Sequence, residues 1–227
     1  MQGCDMRLLD IIIALVALLL LMPILLPIMV LQKFLGEGEI FYVQSRIGRD
    51  EKPFGLIKFA TMLKNSPEVG AGDITLKNDP RVLPHGKFLR KSKINELPQL
   101  FNVLLGDMSI VGPRPLTSKN YYYYDKQSRS IISSVPPGLT GVGSIVFRDE
   151  EQLMLDVDDP IAFYKHNISP YKAELEKYYY KHRSLKQYLI IIALTIIVVV
   201  RPRTDISRFF KDLPLMPKEL KRLKGSK

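Results

Sequence analysis

Residues 95–115 read NELPQLFNVLLGDMSIVGPRP, and the order of residue types in this stretch decides how the chain is to be read. Asn95 is a good N-cap residue, because its short polar side chain can accept a hydrogen bond from a first-turn N–H. Glu96 falls in that turn, and Pro98 is tolerated there because first-turn N–H groups lack helical partners. Leu97, Leu100, Phe101 and Leu104 recur at helical spacing as an apolar stripe. Gly106-Asp107 then marks a tight turn, and Arg114 is held between Pro113 and Pro115. The stretch predicts a helix start carrying a carboxylate, followed by a stiffly mounted arginine.

Those parts suit phosphate chemistry. Arg90, Lys91 and Lys93 lie just ahead of the helix start, where the helix dipole and unpaired N–H groups favour an anion. A carboxylate such as Glu96 beside phosphates commonly holds Mg²⁺ that keeps several waters. An arginine grips phosphate oxygens through two parallel hydrogen bonds, and a rigid backbone lowers the entropy lost in doing so. Each part also has an ordinary reading. Asn-Glu begins many helices without catalytic roles, Pro-Arg-Pro is often just a rigid loop, and Arg46, Arg49, Lys52 and Lys58 suit solvated strand edges. No Ser/His/Asp set or Gly-rich phosphate loop can be assembled, and three scattered histidines do not suggest zinc.

Outward from this core, the chain of 227 residues is long enough for one domain with an appendage. Residues 8–31, LLDIIIALVALLLLMPILLPIMVL, contain one charge, Asp10. A straight helix of that length extends about 36 Å, enough to cross a hydrocarbon core of about 30 Å. Pro23 and Pro27 each remove a helical N–H and crowd the preceding turn, so a kink or break near Met22-Pro23 is expected. A kinked span and a re-entrant hairpin are both compatible with the composition. A secretory signal is disfavoured, because no small-residue cleavage site follows the run.

The formal net charge is +10. Residues 201–227 carry nine Lys/Arg against three Asp/Glu, interleaved with Phe209, Phe210, Leu213, Leu215, Met216, Leu220 and Leu223. Such a tail can lie on an anionic leaflet, each cation contributing about 1 kcal/mol; it also reads as a solvated tail. Familiar nucleic-acid motifs are absent and the membrane accounts for the charge. Cys4 is the only cysteine, so no disulfide can form within the chain, which suits the cytoplasm.

Residues 39–44 and 54–59 read as short strands around a Gly48-Arg49-Asp50 turn. Residues 65–79 read as a Gly/Asn/Pro/Asp-rich surface loop, and 88–94 as a short basic helix or extended approach. Helices are expected over 121–134 and 171–182, and the 13-residue apolar run 188–200 reads as a buried or interfacial helix. The fold class expected is mixed α/β and mainly helical. Three regions are expected: a membrane-embedded segment (1–36), a compact cytoplasmic domain (37–200) and a basic amphipathic tail (201–227).

The string ELPQLFNVLLGDMSIVGPRP resembles the core motif of the bacterial sugar transferases, the small monotopic phosphoglycosyl transferases. The resemblance extends to Arg7 and Asp10, to FYVQSRIG (41–48), KFATM (58–62), NDPR (78–81), residues 86–90 and PGLTG (137–141), in the family's order. The broken apolar run resembles the family's re-entrant hairpin. The resemblance implies transfer of a sugar-1-phosphate from a UDP-sugar to polyprenyl phosphate with Mg²⁺, at the cytoplasmic face of the bacterial inner membrane, starting a surface glycan. The partners implied are the UDP-sugar, the polyprenyl phosphate and anionic lipids, with a homodimer left open and no nucleic acid.

By the same resemblance, Asn95 and Glu96 occupy the catalytic pair, with Glu96 the Mg²⁺ ligand. Lys58, Arg81, Arg90, Arg114 and Glu176 are candidate substrate or phosphate ligands. The family's pair is Asp-Glu, its Asp attacking the β-phosphate to give a covalent phosphosugar. Here Asn95 stands in that place, and an amide oxygen is a far weaker nucleophile. Glu96 as nucleophile, direct attack by the lipid phosphate, and an Asp→Asn exchange made to trap a complex all remain open. A non-catalytic membrane scaffold is the competing function. Glu176 stands where Asp is more frequent, and Ala60, Pro136 and Ser144 also depart from the pattern.

Overall fold

The computed structural model describes residues 2–66, 79–154, 157–201 and 204–225. The chain divides into two compact units, Met1–Arg46 with Pro53–Ile110, and Ile47–Lys52 with Val111–Lys227. The helices expected from the sequence dominate both, with short strands between them.

The first unit opens with α1 (Gln2–Leu35), a single helix of 34 residues, about 51 Å long at 1.5 Å per residue. It stays helical through Pro23 and Pro27, so the expected break near Met22-Pro23 is not present and no turn reverses the chain there. Both prolines are exposed. A proline on an outer face costs one helical hydrogen bond but displaces no packed neighbour. Met6, Asp10, Ala14, Leu18, Leu25 and Gln32 are buried, and their spacings of four and seven put them on one stripe. Leu8, Ile12, Leu15, Val16, Leu19, Leu20, Ile24, Val30 and Phe34 are exposed. The helix therefore packs along one edge and leaves a long apolar surface uncovered in the isolated chain.

Polar anchors fix that packed stripe to α3 (Gln99–Leu105) and its surroundings. Arg7 donates to Val103 O at 2.5 Å and Leu104 O at 3.0 Å, two carbonyls in the last turn of the helix, where intrahelical donors run out. Gly106, with φ 99°, closes the helix in the left-handed conformation that glycine adopts without Cβ strain. Asp10 Oδ1 accepts from Ser109 Oγ at 2.9 Å and from Ile110 N at 2.8 Å. Gln32 Nε2 donates to Ala60 O at 2.6 Å. The lone charge of the apolar run is thus a buried structural acceptor.

β1 (Phe41–Ile47) and β2 (Pro53–Phe59) pair as a hairpin. Its turn carries Asp50 and Glu51 at positive φ. Asn102 ties this hairpin to α3, donating to Gly55 O at 2.7 Å and accepting from Ile57 N at 3.0 Å. α2 (Pro84–Lys91) follows, starting with Pro84 at its first position. Leu56, Phe59, Leu89, Leu100, Val103 and Met108 supply the apolar interior of the unit. The loop expected over 65–79 lies mostly outside the described residues.

After β3 (Ser109–Val111), the second unit begins. Gly112 N donates to Thr140 O at 2.9 Å, and Gly138 N to Pro113 O at 2.8 Å, which sets residues 112–113 beside β4 (Gly138–Thr140). The helix expected over 121–134 forms as two, α4 (Ser118–Tyr121) and α5 (Lys126–Ser133). Asp125 interrupts it by capping α5, its Oδ1 accepting from Ser128 N at 2.9 Å. Short helices α6 (Val142–Val146), α7 (Glu150–Leu153) and α8 (Pro160–Phe163) lead through a π-helical turn into α9 (Ser169–Lys181).

α9 is the centre of this unit. Tyr171, Lys172, Ala173, Leu175, Glu176, Tyr178 and Tyr179 are all buried on it. Leu116, Tyr121, Tyr124, Ile132 and Ala173 form one apolar cluster beside it. α10 (Leu185–Val200) buries Tyr188, Ile191, Leu194 and Val198 and exposes Leu189, Ile196, Val199 and Val200, so only one of its faces is packed. The basic tail is anchored as well: Tyr171 and Tyr178, two turns apart on α9, donate to Pro214 O at 2.8 Å and Lys211 O at 2.7 Å. It ends in α11 (Lys218–Gly225), where Leu220 is fully buried.

Candidate active site

In the first unit, the candidate residues gather at a 3₁₀ turn, Ile94–Glu96. Asn95 was expected to cap a helix; instead Lys93 takes that place in the left-handed conformation, φ 62°. Pro98 lacks an N–H, and α3 starts only at Gln99. Asn95 is therefore inside the turn and buried, with its Oδ1 unpartnered. A buried amide oxygen without a donor costs on the order of 1–3 kcal/mol. Such a cost is tolerable at a place that serves a ligand. Glu96, the next residue, is half-buried.

The turn packs against both α2 and β2. α2 brings Arg90, half-buried near its C-terminal end, with Nη1 3.8 Å from Met62 Sδ. β2 brings Lys58, whose Nζ donates to Gln44 Oε1 at 3.2 Å. The same oxygen accepts from Arg46 Nη2 at 2.6 Å. Gln44 thus collects one cation from its own strand, β1, and one from the neighbouring strand, β2. Arg46, which reads as a solvated strand-edge charge, is instead paired two residues along its own strand, and only the Lys58 contact depends on the register of the hairpin. Lys58, Arg90, Asn95 and Glu96 accordingly belong to one neighbourhood of one unit.

Arg81 does not join them as a phosphate ligand. Its side chain is buried and forms a two-pronged pair with Asp79, Nε–Oδ1 at 2.9 Å and Nη2–Oδ2 at 2.6 Å. Nη1 donates to Ser66 O at 2.9 Å. A guanidinium neutralised and enclosed in this way ties Ser66 to Asp79, and breaking a buried pair costs several kcal/mol.

Arg114 and Glu176 belong to the second unit. Arg114 is half-buried and lines a small cleft with Ile47, Gly48, Pro113, Leu116 and Tyr121. Glu176 is buried on α9, and the backbone N–H of Arg114 donates to its carboxylate. Burial raises the Glu176 pKa to about 7, opposed by that hydrogen bond and by the charges of Lys172 and Arg114. One turn earlier on α9, buried Lys172 pairs with Glu150, Nζ–Oε2 at 2.6 Å. Burial pulls the ammonium pKa down, but Glu150 and Tyr164 outweigh it and the net direction is upward. This Lys172–Glu150 pair was not anticipated; the acidic cluster 149–151 gave no sign of its partner.

For Mg²⁺, the available donors are Glu96 and the unpartnered oxygen of Asn95. Among the described residues, no group of three or more His, Cys, Asp or Glu side chains gathers. The donor set fits an ion that keeps waters and takes its other ligands from substrate phosphates, which is the usual habit of Mg²⁺.

Comparison with known proteins places this geometry. Residues 2–202 match the family model described as bacterial sugar transferase. The chain is 39% identical over 162 residues to the exopolysaccharide production protein ExoY of Rhizobium meliloti, covering 65% of this chain and 71% of that one. It is 42% identical over 147 residues to the UDP-glucose:undecaprenyl-phosphate glucose-1-phosphate transferase of Klebsiella pneumoniae, covering 61% of this chain but 30% of that protein. It is 34% identical over 189 residues to the UDP-N-acetylgalactosamine-undecaprenyl-phosphate N-acetylgalactosaminephosphotransferase of Aeromonas hydrophila, covering 82% and 41%. The chain thus spans less than half of the two transferases named for their reactions. With the family model spanning residues of both units, the chain belongs to the bacterial sugar transferase family.

Proposed function

We propose that this protein transfers a sugar-1-phosphate from a UDP-sugar to undecaprenyl phosphate, releasing UMP and starting assembly of a surface glycan. The observation that carries the reading is the family match over residues 2–202, together with relatives named for this reaction on different sugars. The exposed apolar surface of α1 supports a membrane-embedded position for that helix. The reading places it in the cytoplasmic membrane, with the rest of the chain on the cytoplasmic side where UDP-sugars are found.

In the transfer, a new O–P bond forms at the β-phosphorus, the bridge to the α-phosphate breaks, and UMP leaves with the bridging electron pair. Lys58 and Arg90 offset phosphate charge near the 3₁₀ turn, and Arg114, in the second unit, is a further candidate phosphate ligand. Bound Mg²⁺ would neutralise charge developing on the phosphates. Glu96 is the working carboxylate in this account and Asn95 a neutral oxygen donor, because an amide cannot form a stable acyl phosphate without losing its proton.

The test is UMP release from a panel of UDP-sugars, with and without undecaprenyl phosphate. Lipid-dependent release from one of them is expected. Asn95 is also the observation that favours a second reading, a non-catalytic membrane scaffold. That reading predicts UDP-sugar binding without UMP release.

A further inference from the structure

Glu176 is a carboxylate in the interior of the second unit, and its seat is made of glycine. A Cβ on Gly143 would lie 2.4 Å from Glu176 Oε1 and 3.3 Å from its carboxyl carbon, and one on Gly141 4.0 Å from Oε2. Gly141 in turn sits against Gly112, where a Cβ would meet Gly112 O at 2.2 Å. The loop carrying Arg114, the segment after β4 and α9 therefore meet closely at this carboxylate. One of its oxygens serves the Arg114 N–H, while Oε2 has no hydrogen-bond partner.

The charged and titratable groups around it come from every neighbouring element. Arg114 faces it from its loop and Lys172 from one turn earlier on α9. Tyr124 and Glu150 interact with one another and with this cluster from the α4–α5 connection and from α7. Lys172 is engaged with Glu150, so the group bonded directly to Glu176 is the Arg114 backbone.

We infer that Glu176 is a positioning residue: seated on Gly141 and Gly143, it fixes the backbone from which the Arg114 guanidinium is presented to the phosphates of the nucleotide sugar. This rests on the transferase reading above. It replaces the expectation that Glu176 touches substrate itself, because a side chain only 4% exposed and turned to the protein backbone has little surface to offer one.

The experiment is a double-mutant cycle on the full chain in vesicles, reading the KM and kcat for the UDP-sugar and the Kd for UDP. Glu176→Asp withdraws the acceptor by one methylene. It should raise the donor KM and the UDP Kd about tenfold, while kcat changes less than about threefold. Glu176→Gln keeps the acceptor oxygen and the volume, so it should restore KM to within about twofold of the wild-type chain. In an Arg114→Ala background, Glu176→Asp should have almost no further effect, because residues that act as a unit are non-additive. Fully additive effects with wild-type turnover intact overturn the inference and leave the transferase reading standing. A wild-type chain that neither turns over nor binds UDP overturns both.

Discussion

Asp10 Oδ1 accepts the backbone N–H of Ile110 at 2.8 Å, joining two residues 100 positions apart. The same oxygen takes Ser109 Oγ. Asp10→Ala should leave both donors without this partner, the Ile110 N–H buried and the Ser109 hydroxyl half-buried, and cost about 1–3 kcal/mol, whereas Asp10→Asn keeps an acceptor and should cost less. Thermal unfolding in detergent micelles measures this. Equal losses for both variants would show that the carboxylate charge, not the acceptor geometry, matters.

Asn102 is the second such bolt. It is almost fully buried, and its amide serves Gly55 O, Ile57 N and Asp107 Oδ2. Asn102→Ala loses every one of these bonds, and Asn102→Asp keeps the acceptor for Ile57 but sets a buried carboxylate oxygen against Gly55 O and Asp107 Oδ2. A loss of roughly 2 kcal/mol or more is expected for each, with Asp the worse at neutral pH. Denaturant unfolding followed through tyrosine fluorescence would report it.

Gly143→Ala should destabilise the second unit strongly, because the added methyl would stand 2.4 Å from the Glu176 carboxylate. Overpacking of this kind typically costs about 1–3 kcal/mol. Pairing it with Glu176→Ala should recover part of the loss. No recovery would mean that the clash is relieved elsewhere.

Glu176 also sets a pH dependence. Its folded pKa is raised from 4.5 to about 7, so between those values the folded state holds a proton that the unfolded chain gives up. Stability from this group is full below 4.5 and is lost as pH rises through about 7. Glu176→Gln should remove the slope, gaining roughly 3 kcal/mol relative to wild type between pH 5 and pH 8. Parallel stability–pH curves for the two chains would contradict it.

Much of the fold was legible because its signals are local. The apolar runs became α1 and α10, the helix expected over 171–182 became α9, and the short strands expected over 39–44 and 54–59 became the β1–β2 hairpin. The start of α3 was misplaced because Lys93 adopts a left-handed conformation and Pro98 delays the helix, choices that tertiary packing makes. Arg81 read as a phosphate ligand since its burial against Asp79 leaves no trace in spacing. The seat of Glu176 was illegible for a similar reason: it depends on glycines some thirty residues away approaching one face of α9. The tail read as separate because its composition hides the carbonyls that Tyr171 and Tyr178 hold. Asn95 and Glu96, by contrast, were legible by their motif and lie together in one turn.

The pair at that turn carries the central claim, that Glu96 is the working carboxylate and Asn95 is not. UMP release should be measured on the wild-type chain and on Glu96→Gln, with the UDP-sugar giving the fastest turnover and undecaprenyl phosphate as acceptor. The account predicts lipid-dependent release by wild type and a loss of at least about a hundredfold in Glu96→Gln, with UDP binding retained. Full activity in Glu96→Gln would contradict it.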